Sequence, residues 1–162
     1  MAKQIELTQG YYTTVDDVDY EYLNQWKWHY DRHSRYAVRT INGSRRDKPR
    51  KITTVFMHRS ILNTPKDLEC DHIDGDRINN QKYNLRNCTS LQNTQNRSLN
   101  KNSISGYKGV GWTKKTKSFR VRIKANGIVY YLGSFLNVKE AALAYNEKAL
   151  ELHGEFARLN RI

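Results

Sequence analysis

The sequence predicts an α+β protein assembled from small units. A β-rich N-terminal region leads into a short strand–strand–helix unit, and a three-stranded antiparallel sheet with one packed helix follows. Three observations carry this expectation. Aromatic and β-branched residues alternate with polar ones in several short runs before residue 58, the signature of half-buried strands. Asn126–Gly127 stands between two alternating runs and is the strongest short-range hairpin signal. From Val138 to Leu152 the apolar residues recur at helical spacing.

Residues 1–57 read as short strands that build a β-rich scaffold for the unit after them. Trp26, Trp28 and Tyr30 alternate with Lys27, His29 and Asp31. Tyr36, Val38 and Thr40 alternate with Arg35, Arg39 and Ile41, and Ile52, Thr54 and Phe56 with Thr53, Val55 and Met57. Asn42–Gly43–Ser44 is a turn signal. Asp16 or Asp17 is placed to cap a short helix through Leu23. The basic cluster Arg45, Arg46, Lys48, Arg50 and Lys51 offers phosphate contacts.

Residues 58–97 form the second unit. A strand is expected over Leu68 to His72, a turn at Asp74–Gly75–Asp76, and a second strand from Asn84 to Cys88. Thr89 or Ser90 then caps a helix running to about Arg97. Residues 98–106 are polar and read as a linker. Residues 107–162 form a third unit, with strands at Gly109–Trp112, Phe119–Lys124 and Val129–Gly133. A helix comes next, with Asn137 as its cap and Glu140 three residues on. Val138, Ala141, Ala142, Tyr145, Ala149 and Leu152 make its apolar face. One sheet face is left open, and there the middle strand shows Arg120, Arg122 and Lys124.

The chemistry concentrates between Cys70 and Arg97. Asp71 and His72 set an anionic ligand beside a base, Asn84 comes twelve residues after His72, and Asn93 nine after that. One divalent metal ion held by Asp71 and Asn93, next to a histidine that takes a proton from water, is a minimal phosphodiester-cleaving centre. Hard oxygen ligands suit Mg²⁺, with Mn²⁺ as the alternative, whereas zinc prefers His or Cys. Arg97, one helical turn beyond Asn93, is placed to hold the scissile phosphate. His58 reads as structural, and Arg59 as a candidate phosphate contact. An EF-hand fails, because Lys82 occupies the position where a bidentate Glu is required.

The run Cys70–Asp71–His72–Ile73–Asp74–Gly75, with Asn84–Leu85–Arg86 and Asn93–Thr94–Gln95–Asn96–Arg97, resembles the HNH endonucleases, in particular those of phage and mobile introns. The resemblance implies the ββα-metal arrangement for residues 58–97, with Asn84 behind His72, fixing its loop and ring. Residues 107–162 resemble the AP2 DNA-binding domain. Tyr107–Lys108–Gly109–Val110, Tyr131–Leu132–Gly133–Ser134–Phe135, Glu140–Ala141–Ala142–Leu143–Ala144–Tyr145–Asn146 and Phe156–Ala157–Arg158–Leu159–Asn160 carry that likeness. It implies a sheet laid in the major groove, with Lys108, Trp112, Lys114 and Tyr131 as contacts beside Arg120, Arg122 and Lys124. Gly111 and Thr113 stand where plant members often have arginines, and Arg122 where they often have Glu, so the target does not carry over.

Charge agrees with a double-stranded DNA partner. The chain holds 28 Lys and Arg against 16 acids, net +12, the balance of a polyanion binder. Residues 98–162 carry 12 basic and 4 acidic residues, and residues 1–97 carry 16 and 12, so the C-terminal part has the stronger footprint. No apolar run reaches the ~20 residues of a membrane span, and the N-terminus lacks an apolar signal core. An intracellular, cytoplasmic setting in a phage or bacterial context is expected, with no obligate protein partner. Cys70 and Cys88 are too few for a disulfide framework or a four-cysteine zinc site and are expected to fill core. These features predict a metal-dependent, site-specific DNA endonuclease of the homing type, cleaving with a His general base. The alternative is a sequence-specific DNA-binding protein on a catalytically degenerate HNH scaffold. A toxin-type non-specific nuclease fits less well, since such an enzyme needs no dedicated binding module.

Overall fold

The computed structural model describes residues 1–43, 52–100 and 102–162. The chain forms two compact units, Met1–Thr89 and Ser90–Ile162. The basic cluster at residues 45–51 lies outside the described residues.

The first unit carries three small antiparallel sheets. Strands β1 (Ala2–Glu6) and β2 (Tyr12–Asp16) form a hairpin. Strands β3 (His29–Tyr30), β4 (Ala37–Asn42) and β5 (Ile52–Phe56) form a second sheet, and β6 (Glu69–His72) pairs with β7 (Leu85–Cys88). Helix α1 (Asp17–Asn24) follows β2 directly, and α2 (Met57–Ile61) follows β5. One core serves the N-terminal elements, with Ile5, Leu7, Val15, Leu23, Trp28, Ala37 and Met57 buried together.

Two departures from the sequence reading have physical causes. Trp26 and Trp28 lie outside β3. The Trp28 indole is 1 % exposed and donates to the Leu23 carbonyl at 2.8 Å, so it closes the end of α1 instead of extending a strand. Met57 is not the end of β5 but the first residue of α2, and it is fully buried. Asp16 does stand at the N-cap of α1, yet its side chain makes no capping bond. Its carboxylate accepts instead from the Lys82 amide at 2.7 Å and the Gln81 side chain at 3.1 Å.

The second unit begins with α3 (Ser90–Gln95) and continues through β8 (Val110–Thr113), β9 (Ser118–Ala125), β10 (Ile128–Phe135) and α4 (Val138–His153). The sheet order is β10–β9–β8, antiparallel throughout. Asn126 and Gly127 both have positive φ, 48° and 81°, as a two-residue I′ hairpin turn requires. Asn137 caps α4, its side chain accepting from the Lys139 amide at 2.8 Å. Val121, Ala141, Ala142 and Ala149 are fully buried, so small alanines let α4 lie close on β9. Gly109 is the tightest point. Its φ is +76°, and a Cβ there would stand 2.1 Å from the Tyr145 ring and 2.8 Å from the Arg122 carbonyl. Gly109→Ala combines left-handed strain with overpacking and is expected to cost on the order of 3 kcal/mol. A thermal melt with unchanged midpoint would refute that expectation.

Candidate functional site

The first site lies on β6. Its register sets Glu69 opposite Cys88, Asp71 opposite Arg86 and His72 opposite Leu85. Directly opposed residues of an antiparallel pair share a face, so Asp71 meets Arg86. The Arg86 Nε and Nη2 both donate to Asp71 Oδ2, at 3.0 and 2.8 Å. The two side chains are 11 % and 8 % exposed, so this is a buried ion pair. Cys70 and Cys88 are buried free thiols, as expected of core fillers. Burial pushes both up to about 11 and keeps them protonated.

His72 is 3 % exposed. Its Nε2 lies 3.0 Å from Asn80 Oδ1, and Asn80 is itself fully buried. The Asn80 amide reaches Thr13 Oγ1 at 2.8 Å, and Thr13 donates to the Ile78 carbonyl at 2.7 Å. Backbone bonds run alongside, from the Thr14 amide to Ile78 O and from the Asn80 amide to Thr14 O. The N-terminal hairpin thus splints the segment that holds the histidine. Burial draws His72 below the ordinary imidazole value, and the Asn80 bond and then Asp74, Asp71 and Asp76 oppose that shift.

Asn84, expected to fix both loop and ring, makes its bonds to the loop. Its Oδ1 accepts from the Asp74 amide at 3.0 Å, and its Nδ2 donates to Asp74 Oδ1 and to the Asn79 carbonyl, each at 2.9 Å. Asp74 also accepts from the Asp76 amide at 2.7 Å, which closes the turn at Gly75. The ring is gripped by Asn80, which sequence reasoning missed. Asn79 and Asn80 sit between the two motif positions, but nothing local points Asn80 at His72. Arg59 is corrected as a phosphate contact. Its guanidinium donates to the carbonyls of Leu68 and Pro65 at 2.9 and 2.8 Å and pins the entry to β6.

His58 is buried beside His72, ring centroids 5.1 Å apart, with Tyr36 against both. Its Nδ1 has no hydrogen-bond partner among the described residues. Burial, then the charges of His72, Arg59 and Arg77, push it down to about 3. The unfolded chain therefore takes up a proton near 6.5 that the folded chain refuses until about 3. The stability tied to His58 is complete above 6.5 and is lost as pH falls toward 3, by about 1.4 kcal/mol per unit. His58→Phe is expected to flatten that acid limb, read from urea unfolding between these limits. An equally steep limb in the variant would exclude His58 as its source.

In the second unit, Asn93 stands half-buried on α3. The helix ends at Gln95, not near Arg97, so Arg97 is exposed beyond the last helical turn and does not share a helix face with Asn93. On the sheet, Arg120, Arg122 and Lys124 are exposed while Val121, Ile123 and Ala125 are buried, as alternation predicts. Register adds Tyr131 opposite Arg122 and bare Gly111 opposite Arg120, and the Arg120 guanidinium lies over the Tyr131 ring at 5.4 Å. Trp112 stands opposite Phe119, ring centroids 4.8 Å apart, and so is on the α4 side of the sheet rather than in the cationic stripe. Lys114 is exposed in the turn after β8. Lys108 departs from the expectation of an outward contact. Its ammonium donates to the Gln95 carbonyl, and burial pushes it down to about 8.

Among the described residues, no group of three or more His, Cys, Asp or Glu side chains could hold a metal ion, and no helix is long and apolar enough to cross a membrane.

Comparison with known proteins adds three relatives. The chain is 33 % identical over 140 residues to an uncharacterized HNH endonuclease, L560, of Acanthamoeba polyphaga mimivirus, spanning 86 % of this chain and 70 % of that protein. It is 35 % identical over 94 residues to Protein 3.8 of Escherichia phage T7, spanning 58 % and 77 %. It is 31 % identical over 96 residues to the ethylene-responsive transcription factor ERF069 of Arabidopsis thaliana, spanning 59 % and 60 %. No family model matches the chain, and no solved structure matches it.

Proposed function

We propose that this chain, which belongs to the HNH endonuclease family, is a metal-dependent, site-specific DNA endonuclease of the homing type. The observation that carries the reading is the pair Asp71–His72 on β6, a buried carboxylate beside a histidine whose ring Asn80 holds in one orientation. In this reading His72 is the general base that takes a proton from the attacking water. Its depressed basicity keeps the imidazole neutral at neutral pH and ready to accept. Asn84 keeps the Asp74–Asn79 loop in place, so the base stays where β6 sets it.

The donor set suits a hard divalent cation. Asp71 and Asn93 would each offer such an ion a protein oxygen, and waters and substrate phosphate would be its further ligands. When bound, such an ion supplies positive charge to the phosphate and to the departing 3′ oxygen. Arg97 would hold phosphate. The stripe Arg120, Arg122 and Lys124, with Tyr131, would supply affinity and address on double-stranded DNA, as in an AP2-like module.

The test is cleavage of plasmid carrying the DNA that flanks this chain's own gene, with Mg²⁺ or Mn²⁺ and with EDTA, followed by run-off mapping. EDTA should abolish cleavage, and Asp71→Ala and Asn93→Ala should each weaken activation by metal. Full activity in EDTA would remove the metal from the mechanism. A second reading, a DNA-binding protein with a silent nuclease unit, draws on the Arg86 guanidinium, which already neutralises Asp71. Site-specific binding without cleavage under any divalent cation would establish it.

A further inference from the structure

We propose that Thr13 and Asn80 are positioning residues that fix the tautomer of His72, holding its ring hydrogen on Nε2. The proposal rests on the reading of His72 as base and adds to it a contribution from the N-terminal hairpin.

Each proton along this chain of contacts has one place to go. Thr13 Oγ1 lies 2.7 Å from the Ile78 carbonyl oxygen. Two oxygens that close need a hydrogen between them, and a carbonyl has none, so the single hydroxyl proton of Thr13 points at Ile78. Toward Asn80 the hydroxyl is then an acceptor only. The Asn80 group facing it at 2.8 Å must therefore be the NH₂. The same NH₂ faces the Met57 sulfur at 3.7 Å, a weak acceptor that would repel the amide oxygen. With NH₂ fixed on that side, the amide oxygen is turned to His72 Nε2 at 3.0 Å. An oxygen there requires Nε2 to carry the hydrogen, and the neutral ring then has its lone pair on Nδ1.

Burial makes the chain of bonds binding. Thr13 and Asn80 are both 0 % exposed, so water cannot satisfy a reversed amide. A flip would set acceptor against acceptor at Thr13 in a dry interior, which costs as much as a lost buried hydrogen bond. Thr13 sits on β2, outside the residues that the motif spacing marks, and the backbone bonds between Thr14 and residues 78 and 80 hold it in register. The hairpin is then part of the base.

The experiment uses the full chain labelled with ¹⁵N-histidine. Proton–nitrogen correlation spectra at pH 8 distinguish the two tautomers, and the spectrum of His72→Gln identifies the His72 signals among the five histidines. The expected wild-type result is hydrogen on Nε2. Thr13→Val keeps the shape and removes the hydroxyl. It should release the amide, shift His72 toward the other tautomer, and lower kcat for plasmid cleavage by roughly 10–100-fold, as loss of a histidine's orienting partner does. KM should stay within about twofold, because no substrate contact is lost. Thr13→Ser, which restores the hydroxyl, should recover both tautomer and kcat. Wild-type His72 with its hydrogen on Nδ1 would overturn the proposal without any variant. An unchanged tautomer and kcat in folded Thr13→Val would overturn it too. Hydrogen on Nε2 in a chain that never cleaves DNA supports the relay and sinks the nuclease reading instead.

Discussion

His72→Ala is expected to reduce DNA cleavage by roughly 10²–10⁴, the usual contribution of general acid–base catalysis, while leaving DNA binding near wild type. Two effects of the substitution separate cleanly. The ring is buried against Tyr36 and His58, so its removal also leaves a cavity and costs some stability. That loss acts on the fraction folded, which circular dichroism reads directly. The catalytic loss acts on folded protein. Activity per folded molecule within a few-fold of wild type would show that His72 is not the base.

Arg86→Leu is expected to destabilise the first unit by about 3–5 kcal/mol, the cost of removing one partner from a buried ion pair. The guanidinium makes two bonds to one carboxylate oxygen of Asp71 across the β6–β7 ladder. Without it, folding must bury the carboxylate without its cation. The double variant Asp71→Leu, Arg86→Leu should regain most of the loss, because apolar residues of similar volume often replace a buried pair at little cost. Urea unfolding followed by tryptophan fluorescence in a Trp112→Phe background, which leaves only Trp26 and Trp28 of the first unit, measures both. A single variant within about 1 kcal/mol of wild type would mean that the pair adds little, as exposed pairs do.

Much of the fold was legible because its signals are local. Alternation marked β4, β5 and β9, the Asn126–Gly127 turn marked the hairpin, and Asn137 marked the start of α4. Helix α2 had no such mark, since its N-cap is Phe56 and no side chain caps it. The Asp71–His72 pair was legible as chemistry because adjacency is read directly from the chain. The Asp71–Arg86 pair was within reach, because the strand register places them opposite each other. Asn80 and Thr13 were not, because the contact between them spans 67 positions and no periodicity announces it. Lys108 and Arg59 show the opposite failure. Lys108 was expected to meet DNA through the AP2 resemblance and Arg59 was a candidate phosphate contact, and both direct their charge at backbone carbonyls.

The splint between β2 and residues 78–82 has a consequence on the time axis. Closing a chain segment of that length costs about 3–4 kcal/mol of entropy before any contact returns it, and distant contacts of this kind slow folding. The β6–β7 hairpin can pair early, because its strands are neighbours in sequence. Asn80 is near His72 in sequence, but Thr13 can brace it only once the first sixteen residues have returned to meet it. On the reading of His72 as base, a fluctuation that peels the N-terminal hairpin away would loosen Asn80 while β6 and β7 stay paired.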